Sequence, residues 1–255
     1  MTTSQRNSKK IIIATIYSVI LATIIFIIMV TFFPRQLEPV VVDIPKPRPI
    51  EVIQFNKISL GNGSADFWAE IRNPNDDFGV KQLGYTFVLQ NNDGSIERRS
   101  GNTFILPGDK KRYILLLNIS DDYTIQTLEL SDNLEWTQLS RFDLPELTIR
   151  NVRLGVSEKV GSAFTAFGIL TNNSTVNLKN VQIIAILEND QGEIIGVNET
   201  LVRDVLKTES RDFEMIWDTP ISGASTANTT IYPQSNILDT RELLIELQQK
   251  PIFER

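Results

Sequence analysis

The sequence predicts an all-β protein in which one N-terminal transmembrane helix is followed by two tandem β-sandwich domains. Three observations predict this fold class: a long uncharged run near the N-terminus, an internal repeat beyond residue 50, and alternating apolar residues within each copy of the repeat. The predicted parts are a cytoplasmic tail at 1–10, a transmembrane helix at 11–33, a proline-rich stalk at 34–50, and sandwich domains at 51–142 and 145–250.

The uncharged run extends from Ile11 to Phe33, which as a helix is about 35 Å long at 1.5 Å per residue. In hydrocarbon a single segment can satisfy its own backbone hydrogen bonds only as a helix. A cleaved signal peptide would have a shorter apolar region ending at small residues, whereas this run ends in two phenylalanines. The lipid bilayer is therefore the partner predicted for residues 11–33.

Basic residues precede the run: Arg6, Lys9 and Lys10. The positive-inside rule then predicts a single-pass protein of the cell membrane, with a cytoplasmic N-terminus and an extracytoplasmic C-terminus. Prolines at high density follow, between residues 34 and 49, and favour an extended stalk up to about 50 Å long. A docking peptide at 45–49 is the alternative interpretation.

Beyond residue 50 the chain repeats itself at an offset of 94 to 100 residues. Four short segments match in the same order: 58–61 with 152–155, 71–75 with 170–174, 93–96 with 191–194, and 106–109 with 206–209. Four ordered matches make a tandem duplication the economical explanation, with loop insertions accounting for the drift in offset.

Within each copy the apolar residues have a period of two, which predicts strands with one buried face. The alternating positions are Leu83, Tyr85, Phe87 and Leu89 in the first copy, and Val181, Ile183, Ala185 and Leu187 in the second. A turn follows each strand, at 91–94 and 189–192, where Asn, Asp and Gly accept positive φ. Turn signals at roughly ten-residue spacing predict β-sandwiches. The segment 240–250 fits both a helix and a strand, and we favour a final strand.

Composition excludes several classes of function. The chain has no cysteine and no histidine, which removes disulfide scaffolds, lipid-modified cysteine anchors, imidazole zinc sites and histidine-based catalytic triads. Residues 1–50 hold six of the 25 basic and two of the 31 acidic side chains, so the remainder carries a net charge of about −10. A surface of this sign repels nucleic acid, and no phosphate-binding glycine loop is present. We predict no cofactor.

Carboxylates are the remaining candidates for chemistry, as the pairs Asp76-Asp77 and Asp121-Asp122. Paired acids can serve acid–base catalysis or bind calcium. Both pairs lie beside turn-forming residues and lack the spacing of a calcium loop, which indicates solvated turns. The sequence thus predicts no catalytic or metal-binding residue, and a protein that is not an enzyme.

Three tryptophans could form a sugar-binding platform: Trp68, Trp136 and Trp217. Trp136 and Trp217 fall within alternating strands and are interpreted as core or inter-domain packing. Trp68 lies out of phase with Phe67 and Ala69. It is therefore the one candidate surface contact.

Segments 168–174, 178–181 and 188–196 resemble the FxLYD-type immunoglobulin-like domains of prokaryotic envelope proteins. The resemblance covers the second repeat well and the first less well. With segments 217–220 and 231–236, the layout is similar to membrane-anchored tandem proteins of small-genome candidate-phylum bacteria. The resemblance implies immunoglobulin-like sandwiches and supplies no catalytic residues.

The predicted function is a non-enzymatic, membrane-anchored extracytoplasmic module of the cell envelope, either structural or binding a partner protein. Two alternatives remain open from the sequence. A carbohydrate- or cell-wall-binding module requires an outward Trp68, and a carboxylate-based hydrolase requires two acids about 5 to 10 Å apart in a cleft.

Overall fold

The computed structural model describes residues 3–32, 46–139, 144–157 and 163–239. Contacts divide the chain into two units, 1–46 and 47–255. The first contains helix α1, Thr3–Phe32, and its described side chains, residues 13–29, are exposed. Within the described residues, no helix combines the length and the apolar character needed to cross a membrane. Residues 34–45 of the predicted stalk, and the segment 240–250, lie outside the described residues.

The second unit contains the β-structure, and every described strand pair is antiparallel. The strands are β1 (Glu51–Ser59), β2 (Ser64–Arg72), β3 (Phe78–Asn91), β4 (Ile96–Ile105), β5 (Arg112–Ser120), β6 (Tyr123–Leu130), β7 (Trp136–Gln138), β8 (Leu147–Val156), β9 (Phe164–Asn172), β10 (Leu178–Glu188), β11 (Ile194–Val205), β12 (Ser210–Trp217) and β13 (Thr229–Gln234). A 3₁₀ turn at Thr226–Asn228 precedes β13. The prediction of an all-β protein is confirmed.

Residues 47–139, the first half, and 144–239, the second half, have the same strand order. In the first half, sheet 1 has the order β1-β2-β5 and sheet 2 the order β4-β3-β6, with β7 also pairing β3. In the second half, sheet 3 has the order β12-β9-β8 and sheet 4 the order β11-β10-β13. The strands β8 to β13 therefore repeat the order of β1 to β6. In each half the chain passes between two sheets, and this arrangement of antiparallel strands is that of an immunoglobulin-like β-sandwich fold.

Each half has its own apolar core between its two sheets. The alternating positions predicted from sequence supply much of it, because Leu83, Phe87 and Leu89 are buried in the first core. Val181, Ile183, Ala185 and Leu187 occupy the equivalent strand of the second core. The hairpin turns after these strands are also as predicted, with φ of +85° at Gly94 and +79° at Gly192.

A buried asparagine organises one end of the first half. Asn73 is 0% exposed, and its Nδ2 donates to the carbonyls of Phe78 and Leu106 at 2.6 and 2.8 Å. Its Oδ1 accepts from the backbone N–H of Asn75 at 3.0 Å. The side chain thus joins backbone groups from two loops through hydrogen bonds made inside the protein.

The second half has the same arrangement at the matched position. Asn172 is 0% exposed, and its Nδ2 donates to the carbonyls of Val176 and Leu206 at 2.9 and 3.1 Å. Its Oδ1 accepts from the backbone N–H of Ser174 at 3.1 Å. Positions that match in sequence therefore make equivalent hydrogen bonds in both halves.

Close packing over a glycine gives a test of the second core. A Cβ added at Gly168 would lie 2.6 Å from Cζ of Phe213, a core ring, so the ring would have to move. We expect Gly168→Ala to lower the free energy of unfolding by about 1 to 3 kcal/mol, measured by chemical denaturation. The control is Gly155→Ala, where a Cβ meets no atom within 4 Å. A control loss as large as that of Gly168→Ala would contradict this account.

Candidate functional site

The candidate site is the junction at which sheet 1 of the first half packs on sheet 4 of the second. An apolar cluster joins them: Trp68, Tyr113 and Leu115 from sheet 1, with Ile184, Ile186 and Val197 from sheet 4. The central strands of the two sheets, β2 and β10, are therefore covered on two faces, one against their own core and one against the other half. Burial is continuous from Ala65 to Ile71 in β2 and nearly so from Val181 to Leu187 in β10.

The position of Trp68 corrects the sequence interpretation of this residue as a surface contact. Its side chain is 4% exposed and its ring packs edge-on to Tyr113, with 6.0 Å between centroids. The residue lies out of phase with Phe67 because it faces the junction, whereas Phe67 faces the core. Its indole Nε1 has no hydrogen-bond partner among the described residues.

The side chains of the other two tryptophans, Trp217 and Trp136, pack inside the protein or against a neighbouring ring. Trp217 is 4% exposed in the second core, where its Nε1 donates to the carbonyl of Val197 at 2.9 Å. Trp136 is half-buried and packs edge-on to Phe78.

Arg112, at the start of β5, is the largest fully buried side chain of the described residues at 1% exposure. Its Nε and Nη2 donate to Oγ1 of Thr103 at 3.0 and 2.9 Å. Nη2 also donates to Oε1 of Gln182 at 2.9 Å, and Nη1 donates to Oε1 of Gln234. The guanidinium therefore links strands β4 and β5 of the first half to β10 and β13 of the second.

The charge of Arg112 is balanced indirectly. Gln182 accepts from Arg112 and donates from its Nε2 to Oε2 of Glu199 at 2.7 Å, so an amide connects the cation to a carboxylate. The guanidinium carbon also lies 3.7 Å from the ring centroid of Phe104. Burial lowers the pKa of Arg112 to about 10, against the opposing effects of Asp109 and Glu199. The group remains a cation at neutral pH.

A buried acidic group, Asp66, lies near the same junction. Asp66 of β2 is 4% exposed, and its Oδ1 accepts from the backbone N–H of Asn118 at 3.0 Å. Burial raises the pKa of Asp66, the hydrogen bond from Asn118 opposes this, and the charge of Asp218 in the second half raises it further. The ionised form of Asp66 is thus disfavoured in the folded protein.

This shift predicts how stability depends on pH. The pKa of Asp66 is higher when folded, so stability is expected to fall as pH rises from 3.8 through the folded pKa. Asp66→Asn keeps an acceptor for Asn118 and removes the charge, so we expect a higher melting temperature at pH 7 and a weaker pH dependence. Asp121→Asn is the control, and it should lower the melting temperature at pH 7. Hydrogen bonds from Lys57 and Ser59 lower the pKa of Asp121, so its ionised form is favoured in the folded protein. Equal shifts in both variants would contradict the assignment.

A cleft of about 440 Å³ opens beside the arginine. Phe104 of the first half and Leu201, Gln182, Glu199 and Asn236 of the second contribute to its lining. Leu201 is 47% exposed, and Oδ1 of Asn236 is buried with no partner among the described residues. The cleft brings together amides, one carboxylate and apolar surface, but Arg112 behind it is already engaged with protein oxygens.

The acidic pairs predicted from sequence lie in turns, apart from this cleft. Asp76 has an 81% exposed side chain, 3.8 Å from Nζ of Lys110. Asp121 pairs with Lys57 at 2.9 Å, and Asp122 is exposed. Within the described ranges, no three acidic side chains are grouped so as to hold a metal ion.

Comparison with known proteins finds distant likenesses. No family model and no curated protein matches the chain. The calcium binding domain CBD12 of CALX1.2 is 14% identical with a TM-score of 0.23, and the match covers 78% of this chain and 89% of that one. CBD12 of CALX1.1 is 13% identical with a TM-score of 0.18, and the match covers 64% of this chain and 75% of that one.

A transglutaminase of red sea bream is 14% identical with a TM-score of 0.22 over 74% of this chain. The match spans only 29% of that enzyme. Likenesses at these identities and scores assign no family, ligand or reaction to this chain.

Proposed function

We propose that the protein is a membrane-anchored, extracytoplasmic module of the cell envelope that is structural or binds a partner protein, and that it is not an enzyme. The observation that supports this most is the junction. A buried apolar cluster and a fully buried arginine hold the two sandwich halves in one compact unit. A pair with a fixed orientation suits a spacer or a binding platform.

We propose further that the halves are two tandem domains, 51–142 and 145–250, that arose by duplication and belong with the FxLYD-type envelope domains. The repeated strand order and the equivalent asparagines Asn73 and Asn172 support a duplication. The pair buries its linking surfaces against each other, so its remaining strand edges and outer faces are what a partner would meet.

The non-enzymatic part of the proposal is supported by how the polar groups at the junction are used. Arg112, Gln182 and Glu199 bond to one another, and Asp66 bonds to backbone. A catalytic group would instead be aimed at a substrate. A carbohydrate-binding alternative loses its main support, because it required an outward Trp68 and the ring is buried.

The anchoring part of the proposal rests on the sequence. Residues 11–33 are uncharged, and Lys9 and Lys10 precede them directly. With this run in the bilayer and the N-terminus inside, the acidic remainder is extracytoplasmic.

The anchoring experiment is protease treatment of intact bacteria that express the full chain with a C-terminal epitope. We expect added protease to remove the epitope, and carbonate at high pH to leave the uncut protein in the membrane. Ile20→Lys combined with Ile24→Lys should release the protein from the membrane, because charges at a helix centre oppose insertion. Val41→Lys, outside the run, is the matched control. An epitope protected in intact cells would contradict the proposed topology.

The partner is tested by proximity labelling with a ligase fused to the C-terminus in the native cell. We expect a reproducible set of envelope proteins, compared with the same ligase fused to residues 1–50 alone. Labelling that is identical for the two fusions would contradict a binding role for the β unit.

A further inference from the structure

One side of the first sandwich is open between its edge strands β1 and β6. These strands belong to the two facing sheets, and among the described residues β1 pairs only with β2 and β6 only with β3. Between them lies a groove of about 600 Å³, and its lining includes Phe55 and Lys57 from β1 and Thr124 and Ile125 from β6. The groove runs along the outer edges of both strands, which pair with no further strand in the part of the chain that the structure describes.

The groove is an incompletely covered margin of the core. Phe55 lies opposite Ala69, which is 0% exposed in the core, so its ring lies on the core-facing side of sheet 1. Nevertheless Phe55 is 37% exposed, and its neighbour Ile53 is 44% exposed at a strand irregularity. Within the described residues no element covers these two side chains, and apolar surface exposed in this way is typical of a binding site.

The backbone edge of β6 has few of the features that protect an exposed strand. Its eight residues, YTIQTLEL, include one charge and no proline. The corresponding strand of the second half, β13, has Pro233 opposite Ile183, where β6 has Leu130 opposite Tyr85. Proline and charged residues prevent pairing at sheet edges, so β6 is the more open of the two.

One end of the groove is closed by polar contacts. Nζ of Lys57 lies 2.9 Å from Oδ1 of Asp121, and Oγ of Ser59 donates to Oδ2 of Asp121 at 2.8 Å. These contacts tie β1 to the start of β6 and leave the rest of the groove accessible. They also engage Lys57, the one cation in the lining, so the rest of the groove is uncharged and combines apolar side chains with the polar Asn56 and Thr124.

We propose that this groove takes an extended segment of a partner protein, which pairs with the free edge of β6 and inserts alternate apolar side chains beside Phe55 and Ile125. The inference rests on the proposed function, because it names the surface by which the module binds. Strand addition satisfies the free backbone groups and covers the apolar margin in one step, which a compact small molecule does not do. β6 is about 27 Å long at 3.4 Å per residue, which sets a segment of roughly seven or eight residues.

The first test is peptide binding to the full chain in detergent, measured by fluorescence anisotropy. The probe is a labelled nine-residue peptide that alternates valine and threonine, with lysine at both ends, and its control has proline at the centre. We expect the alternating peptide to bind and the proline peptide to bind at least tenfold more weakly, because proline cannot continue the ladder. Equal binding of the two peptides, or none of either, would overturn the proposal.

Two variants locate the binding. Phe55→Asp should reduce binding about tenfold or more, whereas Ile96→Asp, at the exposed edge of β4, should leave it unchanged. Leu130→Pro leaves the groove residues Phe55 and Ile125 unchanged and places a proline where β13 has Pro233, and it should weaken binding in the same way. Circular dichroism and thermal melting identify variants that fail to fold. Equal binding by folded Phe55→Asp and Ile96→Asp would overturn the proposal.

The partner itself is identified by a photo-crosslinking residue, p-benzoylphenylalanine, placed at position 55 or 96 in the native cell. We expect an adduct from position 55 alone, with the crosslink mapped by mass spectrometry to an alternating apolar segment of another protein. An adduct of two copies of this chain, or with lipid only, would overturn the proposal. Neighbours that are still labelled by the ligase fusion when Phe55→Asp is present would leave the proposed function standing and refute this groove.

Discussion

Arg112→Ala is expected to lower the free energy of unfolding by about 3 to 5 kcal/mol, the largest effect of any substitution considered. The substitution leaves the side-chain oxygens of Gln182 and Gln234 without their cationic donor at the junction. It also opens a cavity at the largest fully buried side chain. Urea unfolding of the full chain in detergent, followed by tryptophan fluorescence, measures the loss.

Arg98→Ala is the matched control for Arg112→Ala. Arg98 has a 55% exposed side chain and pairs with Glu129 at the surface, so its removal should cost less than about 1 kcal/mol. Arg112→Lys keeps the positive charge but loses the planar group that reaches both halves, and it should fall between the two. Similar losses for Arg112→Ala and Arg98→Ala would show that the junction contributes little to stability.

Asn172→Ala is expected to lower the free energy of unfolding by about 2 to 4 kcal/mol. The substitution removes a fully buried amide, so the carbonyls of Val176 and Leu206 each lose a donor and the backbone N–H of Ser174 loses its acceptor. The adjacent Asn173 is exposed, with its Nδ2 donating to Oγ1 of Thr148, and Asn173→Ala should cost less than about 0.5 kcal/mol. The same unfolding measurement applies.

Asn73→Ala tests whether the buried asparagine contributes equally to the stability of the two halves. Asn73 makes the equivalent pair of bonds, to Phe78 and Leu106, and its loss should match that of Asn172→Ala within about 1 kcal/mol. A large loss in one half and none in the other would show that the shared hydrogen bonds differ in energetic weight.

The sequence predicted those parts of the β unit that depend on local chemistry. Alternation placed Phe87 and Leu89 in one core and Ile183 in the other, and glycine predicted the turns at Gly94 and Gly192. These succeed because a strand with one buried face has period two, and because positive φ selects glycine. The matched segments predict a tandem duplication, and the two halves share one strand order.

The junction was missed, although the sequence contains a signal for it. β10 has the continuous apolar run Ile183 to Leu187, and a strand that is apolar on both sides is typical of burial on both faces. Trp68 in β2 gives the same signal, although alternation within one strand assigns it to the surface. The second buried face belongs to a partner sheet from the other half, which alternation within one strand does not specify.

The sequence by itself determined the strand periods, the turns, the repeat and the absence of cysteine and histidine, because each depends on residue type and spacing alone. Only the tertiary structure decided that Arg112 is buried, that Trp68 lies inside, and that Phe55 borders an open groove. The physical reason is that burial is a property of surfaces in contact. Whether sheet 1 is covered by sheet 4, or the β1–β6 margin is left open, depends on how the two halves pack in space.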